Sequence, residues 1–408
     1  MASKYPVSDD DVVICAAFRT PLCKARRGNL KDTLPDDMLA AVFRAVINET
    51  GCDSSLIQDI CIGNVNQPGA GAQVSRIAQF LAGIPETVPL QTVNRFCSSG
   101  LQACASIAAS IKAGDIDIGI GGGVESMSLN QMHKPPEGFV VNPKAFEVPN
   151  ARDSLIPMGV TSENVAERYG ITREQQDTMA ADSHRKAAEA RKNGLLKNEI
   201  VALHTIIKDK DGNEKPIVVS EDDGIRPGTT KESLGKLKPV FKEGGSTTAG
   251  NSSQLTDGAA AVLLARRSAA KRYSLPVLGV FRDFAVVGVP PDVMGIGPGY
   301  AIPAVLKKAN LNARDIDIYE INEAFASQAT YSVRRVGIPM EKVNPKGGAI
   351  AIGHPLGCTG ARQVATLLHE MKRRGKPGLG VVSMCIGTGM GAAAIIEYPG
   401  ETTAQSKL

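Results

Sequence analysis

Tryptophan is absent from this 408-residue chain, and the aromatic residues together make up only 4% of it. So thin an aromatic complement excludes the base-stacking platforms of single-strand nucleic-acid binders. Neither sign of charge dominates: 46 basic against 42 acidic residues leave a net charge of +4, too even for a nucleic-acid footprint. No apolar run approaches the length of a membrane span. The eight cysteines include no C-x-x-C pair, and no histidine stands at a ligand spacing from them, so no metal site is expected. Their scatter suits a reducing compartment. The amino end lacks the basic-then-apolar order of a secretory signal.

What is present is a core of ample size. At 43% hydrophobic content and this length, the chain can fill two or three domains. An internal echo organises it. Leu39, Val42, Phe43 and Val46 fall at helical spacing, and Ile302, Val305, Leu306 and Ala309 repeat the stripe. Each helix leads to a strand-like run, Ile60 to Asn64 and Ile318 to Asn322. Later in each half a helix follows a glycine turn, Gly100 to Lys112 and Gly360 to Arg374, and a buried strand follows the helix, Ile116 to Ile120 and Leu379 to Met384. Strand and helix alternating twice over predict two α/β halves with parallel or mixed sheets. Between them, residues 124–250 are polar, broken by Pro143, Pro149 and Pro157, and carry one helical stretch from Ser162 to Asn193. That is too long for a plain loop.

Three segments carry chemistry. In Asn94-Arg95-Phe96-Cys97-Ser98-Ser99-Gly100 a thiol stands between a short apolar run and a helix, where unpaired backbone N–H groups would favour the thiolate. Gly353-His354-Pro355-Leu356-Gly357 and Met384-Cys385-Ile386-Gly387 add a histidine and a second thiol. One nucleophile and two proton-transfer groups suit acyl transfer. Gly119 to Gly123 and Gly387 to Gly391 follow strands, but neither has the full spacing of a dinucleotide-binding loop.

With Asn322-Glu323-Ala324-Phe325 these segments resemble the thiolase family, and the resemblance spans nearly the whole chain. Arg19-Thr20-Pro21, Pro157 to Asn164, Thr248 to Ser253 and Gly347 to Pro355 complete the matching blocks, in the family's order. They are most similar to those of degradative 3-ketoacyl-CoA thiolases of the peroxisomal kind. The resemblance implies a five-layer α-β-α-β-α sandwich of two similar halves. Residues 1–123, completed by 251–275, would form the N-terminal half and 276–400 the C-terminal half. Residues 124–250 would be a loop domain over the active site, and 401–408 a tail. One departure stands out: many relatives carry Asn-Val-Asn where this chain has Asn344-Pro345-Lys346, which puts the local substrate contacts near His354 in question.

Cys97, which follows a strand and opens a helix, is read as the nucleophile that becomes the acyl-enzyme. By resemblance His354 is the base that activates it and Cys385 the acid that protonates the leaving enolate. The acyl oxyanion would meet the N–H groups of Cys97 and Gly387, and the enolate oxygen His354 and a water held by Asn322. Arg226 and Ser253 match coenzyme A contacts, and Met158 would line the thioester channel. The implied reaction is coenzyme A-dependent cleavage of 3-ketoacyl-CoA in fatty-acid β-oxidation. Coenzyme A is a substrate and no cofactor is expected to stay bound. Acetoacetyl-CoA synthesis is the alternative within the family, and a non-catalytic acyl-CoA-binding scaffold the alternative outside it; a pure binder needs no thiol pair. Pro157 before Met158-Gly159 implies a roomy apolar wall and longer acyl chains. A homodimer is expected. Ser406-Lys407-Leu408 reads as an address for the peroxisomal import receptor, in a peroxisome or a related organelle such as a glycosome.

Overall fold

The computed structural model of the protein describes residues 5–132 and 140–400; Ser406-Lys407-Leu408 lies outside the described residues. The chain opens with β1 (Val12–Arg19) and the short β2 (Cys23–Lys24). It continues through α1 (Pro35–Thr50), β3 (Asp59–Gly63), α2 (Ala72–Leu81), β4 (Leu90–Val93), α3 (Ser99–Ala113) and β5 (Ile118–Ser126). Residues 127–255 then leave the sheet. They form α4 (Pro149–Asp153), α5 (Met158–Tyr169), α6 (Arg173–Lys192), a hairpin of β6 (Leu203–Lys208) and β7 (Glu214–Val219), and α7 (Lys231–Gly235). The chain rejoins the sheet as β8 (Thr256–Arg266), followed by α8 (Arg267–Arg272). The second half runs β9 (Gly279–Gly288), α9 (Pro298–Lys308), β10 (Ile318–Ile321), α10 (Ala326–Val336), α11 (Ala349–Ile352), α12 (Thr359–Arg374), β11 (Gly378–Ile386) and β12 (Met390–Tyr398).

The expected single helix from Ser162 to Asn193 is two helices. Gly170 ends α5 in the left-handed conformation at φ 63°, and Thr172 starts α6 with a reciprocal capping box to Gln175. The apolar pattern runs through this junction, so periodicity alone does not reveal the break.

Both halves have one strand topology. In the first, β4 and β5 flank β3 in parallel, β8 joins β5 antiparallel, and β1 joins β8 antiparallel. In the second, β10 and β11 are parallel, β12 joins β11 antiparallel, and β9 joins β12 antiparallel; Val343 bridges Tyr319 in parallel where the first half has β4. The halves meet at a narrow joint, with β1 and β9 paired only at Val13–Val280 and Ile14–Gly279.

Side-chain alternation sorts the strands into layers. Ala392, Ala394 and Ile396 of β12 pack with α3 and α12, whereas Ala393 and Ile395 pack with α9 and α10. In the first half Val262 and Leu264 face α3, and Ala261 and Leu263 face α1. The order is therefore α1/α2, first sheet, α3/α12, second sheet, α9/α10, a five-layer α-β-α-β-α sandwich. Burial agrees: α12 is covered on all sides from Thr359 to Leu368, as a helix between two sheets must be. Among the described residues no helix is long and apolar enough to cross a membrane.

Candidate active site

The site forms where the central helices begin. A Cβ added at Gly360 would come within 2.3 Å of the Leu101 nitrogen, and one at Gly100 within 2.7 Å of the Gly357 carbonyl. Only glycine at both positions lets α3 and α12 approach so closely, and that approach brings the Cys97 turn against the His354 loop. The Cys97 turn is itself tight. Phe96 takes a positive φ of 45°, and the Ser99 hydroxyl donates to the Phe96 carbonyl (2.6 Å) while accepting from the Arg95 N–H (2.9 Å). Such strain collects at functional turns.

Cys97 is buried beside Met127 and Leu356. The expectation of a thiolate at a helix N-terminus does not hold for the resting protein. Burial pushes the Cys97 thiol up to about 11, although the backbone N–H groups of Gly387 and of Cys97 itself bond the sulfur and the Glu125 carboxyl opposes them. Desolvation outweighs the helix end. Ionising Cys97 therefore needs a base, and His354 lies in the loop packed against the Cys97 turn. Burial, and then the charge of Arg362, hold its imidazole down at about 3, so it is neutral at neutral pH.

The His354 tautomer follows from its neighbours. Thr359 Oγ1 gives its proton to the Pro355 carbonyl (3.0 Å) and lies 2.6 Å from His354 Nδ1, which therefore carries the ring proton. Nε2 is left with its lone pair, 3.3 Å from the Asn322 amide nitrogen. Asn322 is buried, and its Oδ1 has no partner among the described residues.

Cys385 lies one residue from the end of β11, fully buried; burial, and then the proximity of Cys97, keep it protonated. Gly387 begins the turn to β12, and its backbone N–H acts on the Cys97 sulfur to lower its pKa. The protein's own packing does not demand glycine there: an added Cβ would meet only the Phe96 ring, at 3.6 Å. Met158, half-buried, packs against both the Cys97 and the Cys385 clusters. Pro157 is exposed and acts as the N-cap of α5, its carbonyl accepting from Val160 (2.9 Å) and Thr161 (3.2 Å).

Arg226 and Ser253 stand apart from the thiols. Exposed Arg226 borders a cavity of about 190 Å³ lined also by His184, Ser233, Leu237, Gly250 and Gln254. Ser253 is not among the lining residues; its N–H is bound to the Ala324 carbonyl at 2.9 Å, beside the Asn322 block. Cavity and reaction centre adjoin, since the Gln254 carbonyl accepts the His354 N–H at 3.2 Å. Lys346 does not line the cavity at Arg226. It is buried against Glu199, whose carboxylate also takes Arg19 (2.8 Å) and Thr366 (2.8 Å), while Arg19 grips Asp222 with both terminal nitrogens.

Several functional neighbours escaped the sequence reading. Glu125, lifted to about 7 by burial, accepts from Val65 (3.0 Å), Asn66 (3.2 Å) and Gly357 (3.0 Å), tying the His354 loop to the end of β3. A lone acid after a glycine-rich strand was its only signal. Thr359 stands one helical turn past Pro355, a spacing that could have marked it as the partner of the histidine. Glu323, also buried, holds Ser183 (2.6 Å), Asn344 (2.7 Å) and Ile350, and so fixes α11 below the histidine.

Comparison with known proteins follows the same division of the chain. A family model described as "Thiolase, N-terminal domain" matches residues 12–268 and one described as "Thiolase, C-terminal domain" matches 275–398. The chain is 62% identical over 393 residues to the rat "3-ketoacyl-CoA thiolase B, peroxisomal", covering 96% of this chain and 92% of the rat protein. It is 62% identical over 390 residues to the human "3-ketoacyl-CoA thiolase, peroxisomal", covering 96% and 91%. The solved dimeric peroxisomal thiolase of Saccharomyces cerevisiae superposes with a TM-score of 0.89 at 49% identity, covering 96% of this chain and 98% of the yeast chain.

Proposed function

The chain belongs to the thiolase family, and on that premise we propose how its site divides the work of one reaction. That reaction is the coenzyme A-dependent cleavage of 3-ketoacyl-CoA to acetyl-CoA and a shortened acyl-CoA, in peroxisomal fatty-acid β-oxidation. The observation that carries it is 62% identity to peroxisomal 3-ketoacyl-CoA thiolases across 96% of the chain.

In the first half-reaction His354 Nε2 takes the Cys97 proton and the sulfur attacks the C3 ketone. The C2–C3 bond breaks with its electron pair on C2, and Cys385 protonates the resulting acetyl-CoA enolate, leaving an acyl thioester on Cys97. In the second, the Cys385 thiolate takes the proton of free coenzyme A, whose sulfur attacks the thioester; Cys97 leaves and recovers its proton from His354. A neutral imidazole beside two protonated thiols is the charge state from which this cycle starts. The N–H groups of Cys97 and Gly387 stabilise the oxyanion at C3. The enolate oxygen meets His354 and a water on Asn322, whose buried, unpartnered Oδ1 supports this reading.

Arg226 at the cavity mouth and Ser253 beside the Asn322 block bind coenzyme A, and Met158 lines the path of the thioester. Residues 1–123 with 251–275, and 276–400, act as the two catalytic halves, and 124–250 as the loop domain that holds coenzyme A. Two copies pair: the outer side of β4 is an open sheet edge, and Ile77, Phe80, Leu81 and Phe96 nearby are exposed. Ser406-Lys407-Leu408 is the segment an import receptor would read. Incubation with acyl-CoA in the absence of an acceptor should leave an acyl mass on the Cys97 peptide; a label on Cys385 or Cys358 would reject the assignment.

A further inference from the structure

Directly behind His354 lies a buried arginine–carboxyl pair that the reaction does not use. Arg362 is covered on all sides in α12, and none of its three guanidinium nitrogens has a hydrogen-bond partner among the described residues. The nearest anion is Glu320 at 3.6 Å, beyond the range of a closed charge-assisted bond; its Oε1 is equally unpartnered. A pair kept for stability alone would close, because burying charge without satisfying it is costly. Both residues, moreover, sit at fixed offsets from the two groups that hold His354. Arg362 stands three residues after Thr359 on one helix face. Glu320 stands two residues before Asn322, and the Asn322 N–H still bonds Ser383 in the ladder, so those two share one strand face.

We propose that Arg362 and Glu320 are positioning residues for His354: packed against each other at 3.6 Å, they complete a frame from His354 Nδ1 through Thr359, Arg362, Glu320 and Asn322 back to Nε2. The proposal rests on His354 being the base. Gln363 braces the frame, its Nε2 donating to the Glu320 carbonyl at 3.0 Å. The frame holds both ring nitrogens at once, Nδ1 against Thr359 and Nε2 against Asn322. The guanidinium adds a field that resists a second ring proton. Charged and titratable groups face this assembly from every side. Arg19 from β1, Cys358 from the start of α12 and Glu199 act on Arg362, and Lys346, Glu199 and Glu323 act on Glu320. Burial lifts Glu320 to about 8 against the pull of Arg362 and Lys346, so the frame relies on its contact with Arg362 rather than on a full negative charge.

The test compares variants of the intact enzyme. Glu320→Ala opens the frame and should lower kcat for Cys97 acylation roughly tenfold with KM for coenzyme A little changed, and Glu320→Gln, which can still meet Arg362, should restore most of it. Arg362→Met should move the acid limb of the acylation rate to higher pH, because an imidazole freed of the cation protonates sooner. The nitrogen spectrum of 15N-histidine protein, with the His354 signal assigned by its loss in His354→Asn, should show Nδ1–H in the wild type and a mixed tautomer in Glu320→Ala. Equal activity and one tautomer in wild type, Glu320→Ala and Glu320→Gln would overturn the frame. If Arg362→Met does not fold, the Glu320 pair decides alone. Were His354→Asn to acylate Cys97 at the wild-type rate, the base assignment itself would fall, a result distinct from failure of the frame.

Discussion

The same crossing between two antiparallel strands is built in opposite ways in the two halves. In the C-terminal half, β11 passes to β12 through Gly387-Thr388-Gly389 alone; in the N-terminal half, β5 reaches β8 only after residues 127–255. The short turn presents a backbone N–H to Cys97, and the long excursion carries Arg226 and Met158. On the proposed roles, one topology yields a reaction centre at one crossing and a clamp for the carrier at the other. Chemistry and recognition are divided between corresponding positions of a repeated unit.

The sharpest way to test that division is to exchange the thiols one at a time. Cys97→Ala should abolish both acyl exchange with coenzyme A and ketoacyl cleavage. Cys385→Ala should keep some exchange, which makes no carbon–carbon bond, while cleavage falls by about 10²–10⁴-fold, the usual worth of a general acid. Equal loss of exchange in both variants would erase the distinction.

A second test cuts the tie between the excursion and the C-terminal half, the buried set Lys346–Glu199–Arg19–Asp222. Lys346→Met leaves an extra buried carboxylate and should cost about 3–5 kcal/mol in denaturant unfolding, while Lys346→Met with Glu199→Gln, which restores charge balance, should recover most of it. Burial pushes the Glu199 carboxyl up, but Lys346 and Arg19 hold it well below the ordinary glutamate range. Its contribution to stability is therefore full above that range and lost as pH falls through the depressed folded-state value. Wild type should lose stability on acidification by more than the double variant does.

A smaller effect belongs to the clamp itself. Arg226→Met should raise KM for coenzyme A about tenfold, the worth of one charge-assisted hydrogen bond, with kcat nearly unchanged. A fall in kcat with constant KM would place Arg226 among the reacting groups instead.

The smallest concerns acyl length. Specificity should rise from acetoacetyl-CoA to longer 3-ketoacyl-CoA esters at about 0.8 kcal/mol per buried methylene until the channel ends. Pro157→Ala should leave that slope intact and cost less than about 1 kcal/mol of stability, since Pro157 caps α5 from an exposed position. A clear preference for acetoacetyl-CoA would instead favour the acetyl-transfer alternative.

The repeat was legible because α1 and α9 each bury one stripe at the helical period, and the paired strands follow at like distances. Cys97, His354 and Cys385 stood out by their glycine-bearing turns, and Asn322 by the resemblance of its Asn322-Glu323-Ala324-Phe325 block. What periodicity could not convey was long-range. Glu199 meets Lys346 across more than a hundred residues, and Arg362 faces Glu320 across the central layer. The state of Cys97 was misread for a related reason: a helix N-terminus is visible in sequence, whereas the depth that outweighs it is a property of the assembled layers. Lys346, conspicuous as an unexpected charge beside the histidine turn, is occupied with buried Glu199.

The joint of β1 with β9 and the glycine contact of α3 with α12 have a kinetic meaning. Cys97 and His354 come from different halves, so neither half brings them together by itself, however well it has formed its own sheet. Closing contacts between segments so far apart along the chain is slow, because loop closure must precede the contacts that reward it. During that interval the inner faces of both sheets and the covered sides of α3 and α12 are open, a large apolar surface prone to self-association. Bringing Cys97 and His354 together in this molecule thus reports on the docking of its two halves.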